Sequence, residues 1–177
     1  MNPRLLKLVP YQSKRYDYTS FACGHESMDT WLQRHAGQNE RLNRARTFLL
    51  VDRLEASRQI YGYFSLLNYQ IVPSEATLVL NRRYRYPMPA TLLARLAVAS
   101  GAQNRGLGKL LLVRAMEHVL VALEHSASEV LLVDAIDDNA VAFYRRHGFQ
   151  LLHGDGRRMF LPTQTIRASL DGSRPSH

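Results

Sequence analysis

The chain has 177 residues, 46% hydrophobic and 21% charged, with 23 Lys and Arg against 15 Asp and Glu for a formal net charge of +8. This is too apolar for a disordered chain, and the longest unbroken apolar run, Val119–Leu123, is far short of the ~20 residues of a membrane helix. The N-terminus does not read as a secretory signal, and the single cysteine, Cys23, excludes an internal disulfide and a multi-cysteine metal cage, so a reducing cytoplasm is the expected setting.

In chain order, Leu5–Tyr11 reads as a first strand. Glu26–Gln38 reads as a helix, with Ser27 or Asp29 near its start and Met28, Trp31, Leu32 and Ala36 at near-helical spacing. Thr47–Val51 and Ile60–Leu67 suit strands, with Asp52–Gln59 as the polar turn between them. Ala76–Leu80 is expected as a further short strand, followed by a basic loop, Asn81–Pro89, and a strand over Leu93–Val98. Leu107–Glu124 is a long helix with Leu112, Met116, Leu120 and Leu123 on one stripe. The apolar run in Glu129–Ala135 suits a strand buried on both faces. Asp137 and Asp138 cap a helix over Asn139–His147, and Gly148 stops it. Phe149–Leu152 and Arg158–Leu161 close as a hairpin, and the polar stretch from Ala168 to His177 is expected to fray. With no repeat and no linker, one domain over residues 1–166 with a polar tail at 167–177 is the expected organisation. The second half alternates strand and helix, which makes it α/β.

The sharpest feature is Gln103-Asn104-Arg105-Gly106-Leu107-Gly108, between a strand and a helix. Gly106 and Gly108 let the backbone approach a ligand, and the first N–H groups of the helix point at it. Pyrophosphate suits such a site, helped by Arg105 or Lys109. The same residues also fit an ordinary strand-to-helix turn. The loop is neither a Walker A sequence nor a three-glycine dinucleotide fingerprint.

In context the loop carries a resemblance. Leu93-Ala94-Arg95-Leu96-Ala97-Val98 followed by the Gln-x-x-Gly-x-Gly loop is similar to the acetyl-coenzyme A signature of the GNAT superfamily of acetyltransferases. Ala140-Val141-Ala142-Phe143-Tyr144-Arg145-Arg146-His147-Gly148-Phe149 resembles that superfamily's A-x-x-F-Y-x-x-x-G-F segment, in order and at the right distance. Phe21-Ala22-Cys23-Gly24 with Met28-Asp29-Thr30-Trp31-Leu32 is similar to the opening of GNAT-type toxins of bacterial toxin–antitoxin pairs. Three positions depart from those toxins: Asn104 where Gly is common, Ala99 where Asp is common, and Met28 where Leu is common.

The resemblance implies an α/β GNAT acyltransferase fold, a central mixed, splayed sheet with helices on both faces. It implies acetyl-CoA as co-substrate, with Leu96, Ala97, Val98, Gln103, Asn104, Arg105, Gly106, Leu107, Gly108, Lys109, Asn139 and Phe143 as its contacts. Tyr144 would be the general acid that protonates the departing sulfur. Two alternatives stay open: Tyr144 as a packing residue, and Asn139 as a helix cap. The implied acceptor is the α-amino group of aminoacyl-tRNA, whose acetylation blocks translation. The implied partners are a ribbon–helix–helix antitoxin and a second copy in a homodimer, with DNA reached only through the antitoxin and no membrane.

The remaining polar groups are judged on the residues themselves. Seven histidines show no paired metal spacing, so no metal is expected. His147 suits a helix C-terminus, Asp134, Asp137 and Asp138 suit capping and solvation, and Cys23 suits a small buried residue. Arg82, Arg83 and Arg85 alternate with Tyr84 and Tyr86, a pattern that fits phosphate contact plus base stacking on tRNA. Arg34, Arg41, Arg44 and Arg46 form a second basic cluster. Either cluster also reads as a solvated charged face. A GNAT enzyme acting on a small amine or a protein N-terminus, and a non-catalytic nucleic-acid-binding module on the same fold, are the alternatives in function.

Overall fold

Strands form where apolar residues alternate or run together, and helices fill the intervals. The computed structural model describes residues 5–54, 57–152 and 156–172. Its strands are β1 Leu6–Pro10, β2 Arg46–Asp52, β3 Ile60–Ile71, β4 Met88–Val98, β5 Val130–Asp134, β6 Gln150–Leu151 and β7 Arg158–Pro162. They are hydrogen-bonded in the order β1-β2-β3-β4-β5-β7-β6. The helices are α1 Glu26–Thr30, α2 Ala36–Arg41, α3 Pro73–Leu80, α4 Leu107–Ala122, α5 Asp138–Arg146 and α6 Thr163–Asp171. The sheet is mixed: β4 and β5 are parallel, Ala90 to Leu93 facing Val130 to Val133, while β1–β2, β2–β3, β5–β7 and β6–β7 are antiparallel.

The chain divides into two compact units. The first holds the residues up to Leu67 together with Ala94–Ala115, and the second holds Asn68–Leu93 and the residues from Met116 onward. In the first unit, α1 and α2 are joined by a π-helical turn, Trp31–His35. Tyr63 is its aromatic centre, with Phe21 edge-on at 5.4 Å and Trp31 stacked at 5.9 Å. The Tyr63 hydroxyl donates to the Met28 carbonyl at 2.8 Å, so the Met in place of Leu there keeps its backbone tie. In the second unit, Ile71, Ala76, Val79, Met88, Val130, Leu132 and Phe160 make a continuous apolar core. All four apolar residues of β5 are buried, as the run of Val and Leu implies.

Several expectations need correction. Ala76–Leu80 is not a strand but the greater part of α3. Pro73 opens that helix, the Thr77 hydroxyl donates to the Pro73 carbonyl at 2.9 Å, and left-handed Asn81 (φ 49°) ends it. Ala76 and Val79, three apart, enter the core on one helical face. The β preference of Thr77 and Val79 yields to that packing. The strand expected from Leu93 begins at Met88, because its parallel partner β5 pairs from Ala90 onward. Along α4 the buried residues are Leu107, Leu111, Leu112, Ala115, Met116 and Val119, while Leu120, and Leu123 just past the helix end, are half-buried. Of the expected tail, residues 167–171 continue α6, and 173–177 lie outside the described residues, as do 153–155 of the hairpin turn.

Gly62 on β3 has no room for a side chain. A Cβ there would lie 2.8 Å from the Ala97 carbonyl oxygen and 2.8 Å from Leu111 Cδ1. Gly62→Ala is therefore expected to destabilise the protein by about 1–3 kcal/mol through overpacking, read as a lower urea midpoint. An unchanged midpoint would contradict this packing.

Candidate active site

In the first unit the sequence Ala99–Gly108 leaves β4 and enters α4. A 3₁₀ turn, Ser100–Ala102, comes first. Asn104 then adopts φ +60° and Gly106 φ +77°. Asn is among the few residues that tolerate the left-handed region, so the Asn found where the toxins commonly have Gly keeps the loop's backbone path. A Cβ at Gly106 would meet nothing within 4 Å, so the backbone there faces open space. The Leu110 N–H donates to the Gly106 carbonyl at 3.1 Å, the first bond of α4. The N–H groups of Leu107, Gly108 and Lys109 precede that bond and have no partner within the helix. With the positive helix end and the exposed side chains of Arg105 and Lys109, this cradle fits a pyrophosphate.

The loop is tied down by the Phe21–Gly24 segment. Gln103 Nε2 donates to the Cys23 carbonyl at 2.8 Å and to the Val98 carbonyl at 3.0 Å. The Ser100 N–H donates to the Ala22 carbonyl at 2.9 Å. Asp29 accepts the Cys23 N–H at 2.8 Å, and Gln33 donates to the Phe21 carbonyl at 2.9 Å. The Gln103 side chain is thus a structural tie, which leaves its backbone for a ligand. Cys23 is buried, and burial followed by the neighbouring Asp29 pushes its thiol up to about 12, which makes it unreactive. A cleft of about 500 Å³ in the same unit is lined by Asp17, Ser20, Ala22, Arg58, Ala99 and Gly101 among others. Its residues come from separate segments, so no motif announces it.

In the second unit, α5 carries Asn139, Phe143 and Tyr144. Asp137 is its N-cap and accepts the Ala140 N–H at 2.8 Å. The capping reading of Asn139 is thereby corrected, since Asn139 is exposed in the first turn. Tyr144 is 7% exposed, and its ring lies 5.2 Å from Phe143 and 5.3 Å from Phe149. Burial pushes its phenol above the ordinary value. Among the described residues its hydroxyl has no hydrogen-bond partner. His147 holds a ring nitrogen 2.8 Å from the Phe143 carbonyl at the helix end. The nearby carboxylates are engaged. Arg158 grips Asp134 at 2.7 and 3.0 Å, and Arg157 lies 3.1 Å from Asp138. Both carboxylates are solvent-exposed as expected, and each also faces an arginine.

The basic residues separate into paired and open ones. Arg82 is not an open cation: it pairs with Glu129 and donates to the Tyr84 hydroxyl at 2.8 Å. Its partner Glu129 is 47 residues away in sequence, which no local pattern discloses. Arg46 pairs with Glu40 at 3.3 Å and with Asn43 at 2.6 Å. Arg34, Arg41, Arg83 and Arg85 are exposed. Sequence reasoning missed Arg95, whose guanidinium lies 5.7 Å over the Trp31 ring. Among the described residues no group of three or more His, Cys, Asp or Glu could hold a metal, and no helix is long and apolar enough to cross a membrane.

Residues 44–151 match the acetyltransferase (GNAT) domain model. The chain therefore belongs to the GNAT acetyltransferase family, and its mixed seven-stranded sheet with α-helices is that family's fold. Its relatives narrow the class. It is 30% identical over 152 residues to the tRNA-acetylating toxin of Mycobacterium tuberculosis (strain ATCC 25618 / H37Rv), covering 86% of this chain and 89% of that one. It is similar to AtaT complexed with acetyl-methionyl-tRNAfMet, with TM-score 0.82 and 26% identity over 93% of this chain and 99% of that one. A tyrosine-to-phenylalanine mutant of the AtaT toxin, bound to the C-terminus of its antitoxin AtaR and to acetyl-CoA, gives TM-score 0.80 at 26% identity, over 94% of this chain and 98% of that one.

The cradle leads to a direct expectation. Gly106→Asp puts a side chain and a negative charge where pyrophosphate would lie, so acetyl-CoA affinity measured by calorimetry should fall more than tenfold. The unfolding midpoint should move little, because Asp tolerates positive φ better than most residues. Unchanged affinity would place the phosphate site elsewhere.

Proposed function

We propose that the protein is a toxin-type N-acetyltransferase that moves the acetyl group of acetyl-CoA to the α-amino group of aminoacyl-tRNA and so blocks translation. The observation that carries this reading is the likeness to AtaT complexed with acetyl-methionyl-tRNAfMet, extending over 93% of this chain. The Gly106 cradle supports it by offering what a pyrophosphate needs. One acetyltransferase domain over residues 1–166 carries the activity. The partners are a ribbon–helix–helix antitoxin, which contacts DNA on the protein's behalf, and a second copy of this chain in a homodimer.

The chemistry assigns a task to each group. Acetyl-CoA, when bound, supplies an acetyl group activated as a thioester. The backbone N–H groups of Asn104 to Lys109 hold its pyrophosphate, assisted by Arg105 and Lys109. Backbone N–H groups in Leu96–Val98 polarise the acetyl carbonyl, and Asn139 and Phe143 line the coenzyme arm. The amine lone pair attacks the carbonyl carbon, the C–N bond forms and the C–S bond breaks. Tyr144 gives its proton to the departing sulfur, and the proton released by the amine returns to the tyrosinate through solvent. Because burial raises the Tyr144 phenol, it stays protonated at neutral pH. No strong base is required: a free α-amino group titrates near about 7.7–8.0, and the ester lowers it further.

Labelled acetyl-CoA incubated with a mixed pool of charged tRNAs tests the reading. The expected result is labelled N-acetyl amino acids on alkaline release, and no transfer to any charged tRNA would refute it. Tyr144→Phe should keep coenzyme affinity yet lower the single-turnover rate by roughly 10²–10⁴-fold. The wild-type rate should climb as the amine deprotonates, with no alkaline fall from Tyr144 below about pH 10, the ordinary phenol value. A Tyr144→Phe enzyme of near wild-type rate would make Tyr144 a packing residue.

A further inference from the structure

Arg95 is a half-buried cation without a counter-ion among the described residues. It lies on β4 in the first unit, on the strand face it shares with buried Leu93 and Ala97. Its guanidinium stands 5.7 Å over Trp31, which is stacked in turn on Tyr63 with the two rings 4° from parallel. Trp31 thus contacts both the Tyr63 ring and the Arg95 cation. The π-helical turn that begins at Trp31 sets the indole in this stack, and π-bulges concentrate at functional sites. Of the five N–H donors of a guanidinium, only Nη1 is engaged among the described residues, donating to the Ala94 carbonyl at 2.6 Å.

This pattern contrasts with that of the strand residues Arg46 and Arg158 and the loop residue Arg82. Arg46, Arg82 and Arg158 each meet a carboxylate, whereas Arg95 meets none among the described residues. A charge held partly out of water without a partner is costly. Cation–π contact with Trp31 returns only part of that cost. A planar fork of open donors on a rigid strand is suited to an oxyanion, and to phosphate above others.

The anion cannot be the coenzyme's pyrophosphate if the Gly106 cradle holds that group. Arg95 lies three residues before Val98, about 10 Å back along the strand at 3.3 Å per residue, and the cradle lies beyond Val98. From this we infer that Arg95 is a specificity-determining residue of the acceptor site, and that its guanidinium, held by the Trp31–Tyr63 stack, binds a backbone phosphate near the 3′ end of the tRNA. The assignment rests on the proposed acetylation of aminoacyl-tRNA and deepens it. It explains how an enzyme for a primary amine prefers one attached to a polynucleotide.

The test uses the full chain with two acceptors, aminoacyl-tRNA and aminoacyl-adenosine, which carries the same ester and amine without any phosphate. Arg95→Ala and Arg95→Lys are compared with wild type, and acetyl-CoA affinity serves as the check that each variant is folded. The expected result is a rise of at least tenfold in KM for aminoacyl-tRNA in Arg95→Ala, with kcat within threefold. Arg95→Lys should recover part of the loss, because it keeps the charge and lacks the fork. Neither variant should change kcat/KM for aminoacyl-adenosine or the coenzyme affinity by more than about twofold. Equal losses on both acceptors would overturn the assignment and give Arg95 a role at the amine or in the fold. A lost coenzyme affinity would overturn it in favour of a coenzyme contact or a structural one. Wild type active on aminoacyl-tRNA with Arg95→Ala unimpaired would overturn this assignment alone, whereas wild type inactive on every charged tRNA would overturn the proposed function and this inference together.

Discussion

The amide of Gln103 binds together three pieces of the first unit. By donating to both the Cys23 and Val98 carbonyls, it fixes the end of β4 and the Phe21–Gly24 segment to the start of the Gln103–Gly108 loop. Two carbonyls are satisfied by one side chain at a turn where neither has a strand neighbour to use. Everything downstream depends on that fixation. The 3₁₀ turn follows, then the left-handed Asn104 and Gly106, then the free N–H groups of α4. Asp29 and Gln33 extend the tie into the helical segment that carries Trp31. The opening Phe-x-Cys-Gly motif is thus a strap for the Gln103–Gly108 loop, and its cysteine serves by being small and buried.

Much of this was legible in the sequence wherever a local rule had no competitor. The Gln103–Gly108 loop, the run of Val and Leu in β5, the Asp137 cap and the Gly148 stop (φ +89°) all follow from backbone demands that few residues meet. The reading failed where distant contacts decide. Ala76–Leu80 has β-favouring residues, yet a proline start and a core on one side make it α3. The early start of β4 depends on pairing with β5. The fate of Arg82 depends on Glu129. Arg95 stayed hidden for a related reason: its meaning comes from Trp31 and from the lack of a carboxylate among the described residues, and neither is written in its neighbours along the chain.

Charge tells a similar story. A net charge of +8 says only that anions are welcome, whereas the structure sorts the cations. Arg46, Arg82, Arg157 and Arg158 are matched to carboxylates and stabilise turns and strand ends. Asp134 and Asp138 face Arg158 and Arg157 at the surface, while Asp137 caps its helix. What remains for chemistry is a neutral phenol, a positive cradle and a few open guanidinium groups. That inventory suits an acceptor amine that is already largely deprotonated, and a bound partner that brings its own negative charge.

The dependence of the cradle on its tie is open to a direct measurement. Acetyl-CoA is titrated calorimetrically into wild-type protein and into Gln103→Leu, which keeps the side chain's bulk and removes both hydrogen bonds. If the tie shapes the cradle, the variant remains folded, with a urea midpoint lowered by the equivalent of about 1–3 kcal/mol for the carbonyls left unpaired, and binds acetyl-CoA at least tenfold more weakly. Wild-type affinity in a Gln103→Leu protein that has lost that stability would contradict the account, because the loop would then hold its shape, and its ligand, without the interaction on which the rest is built.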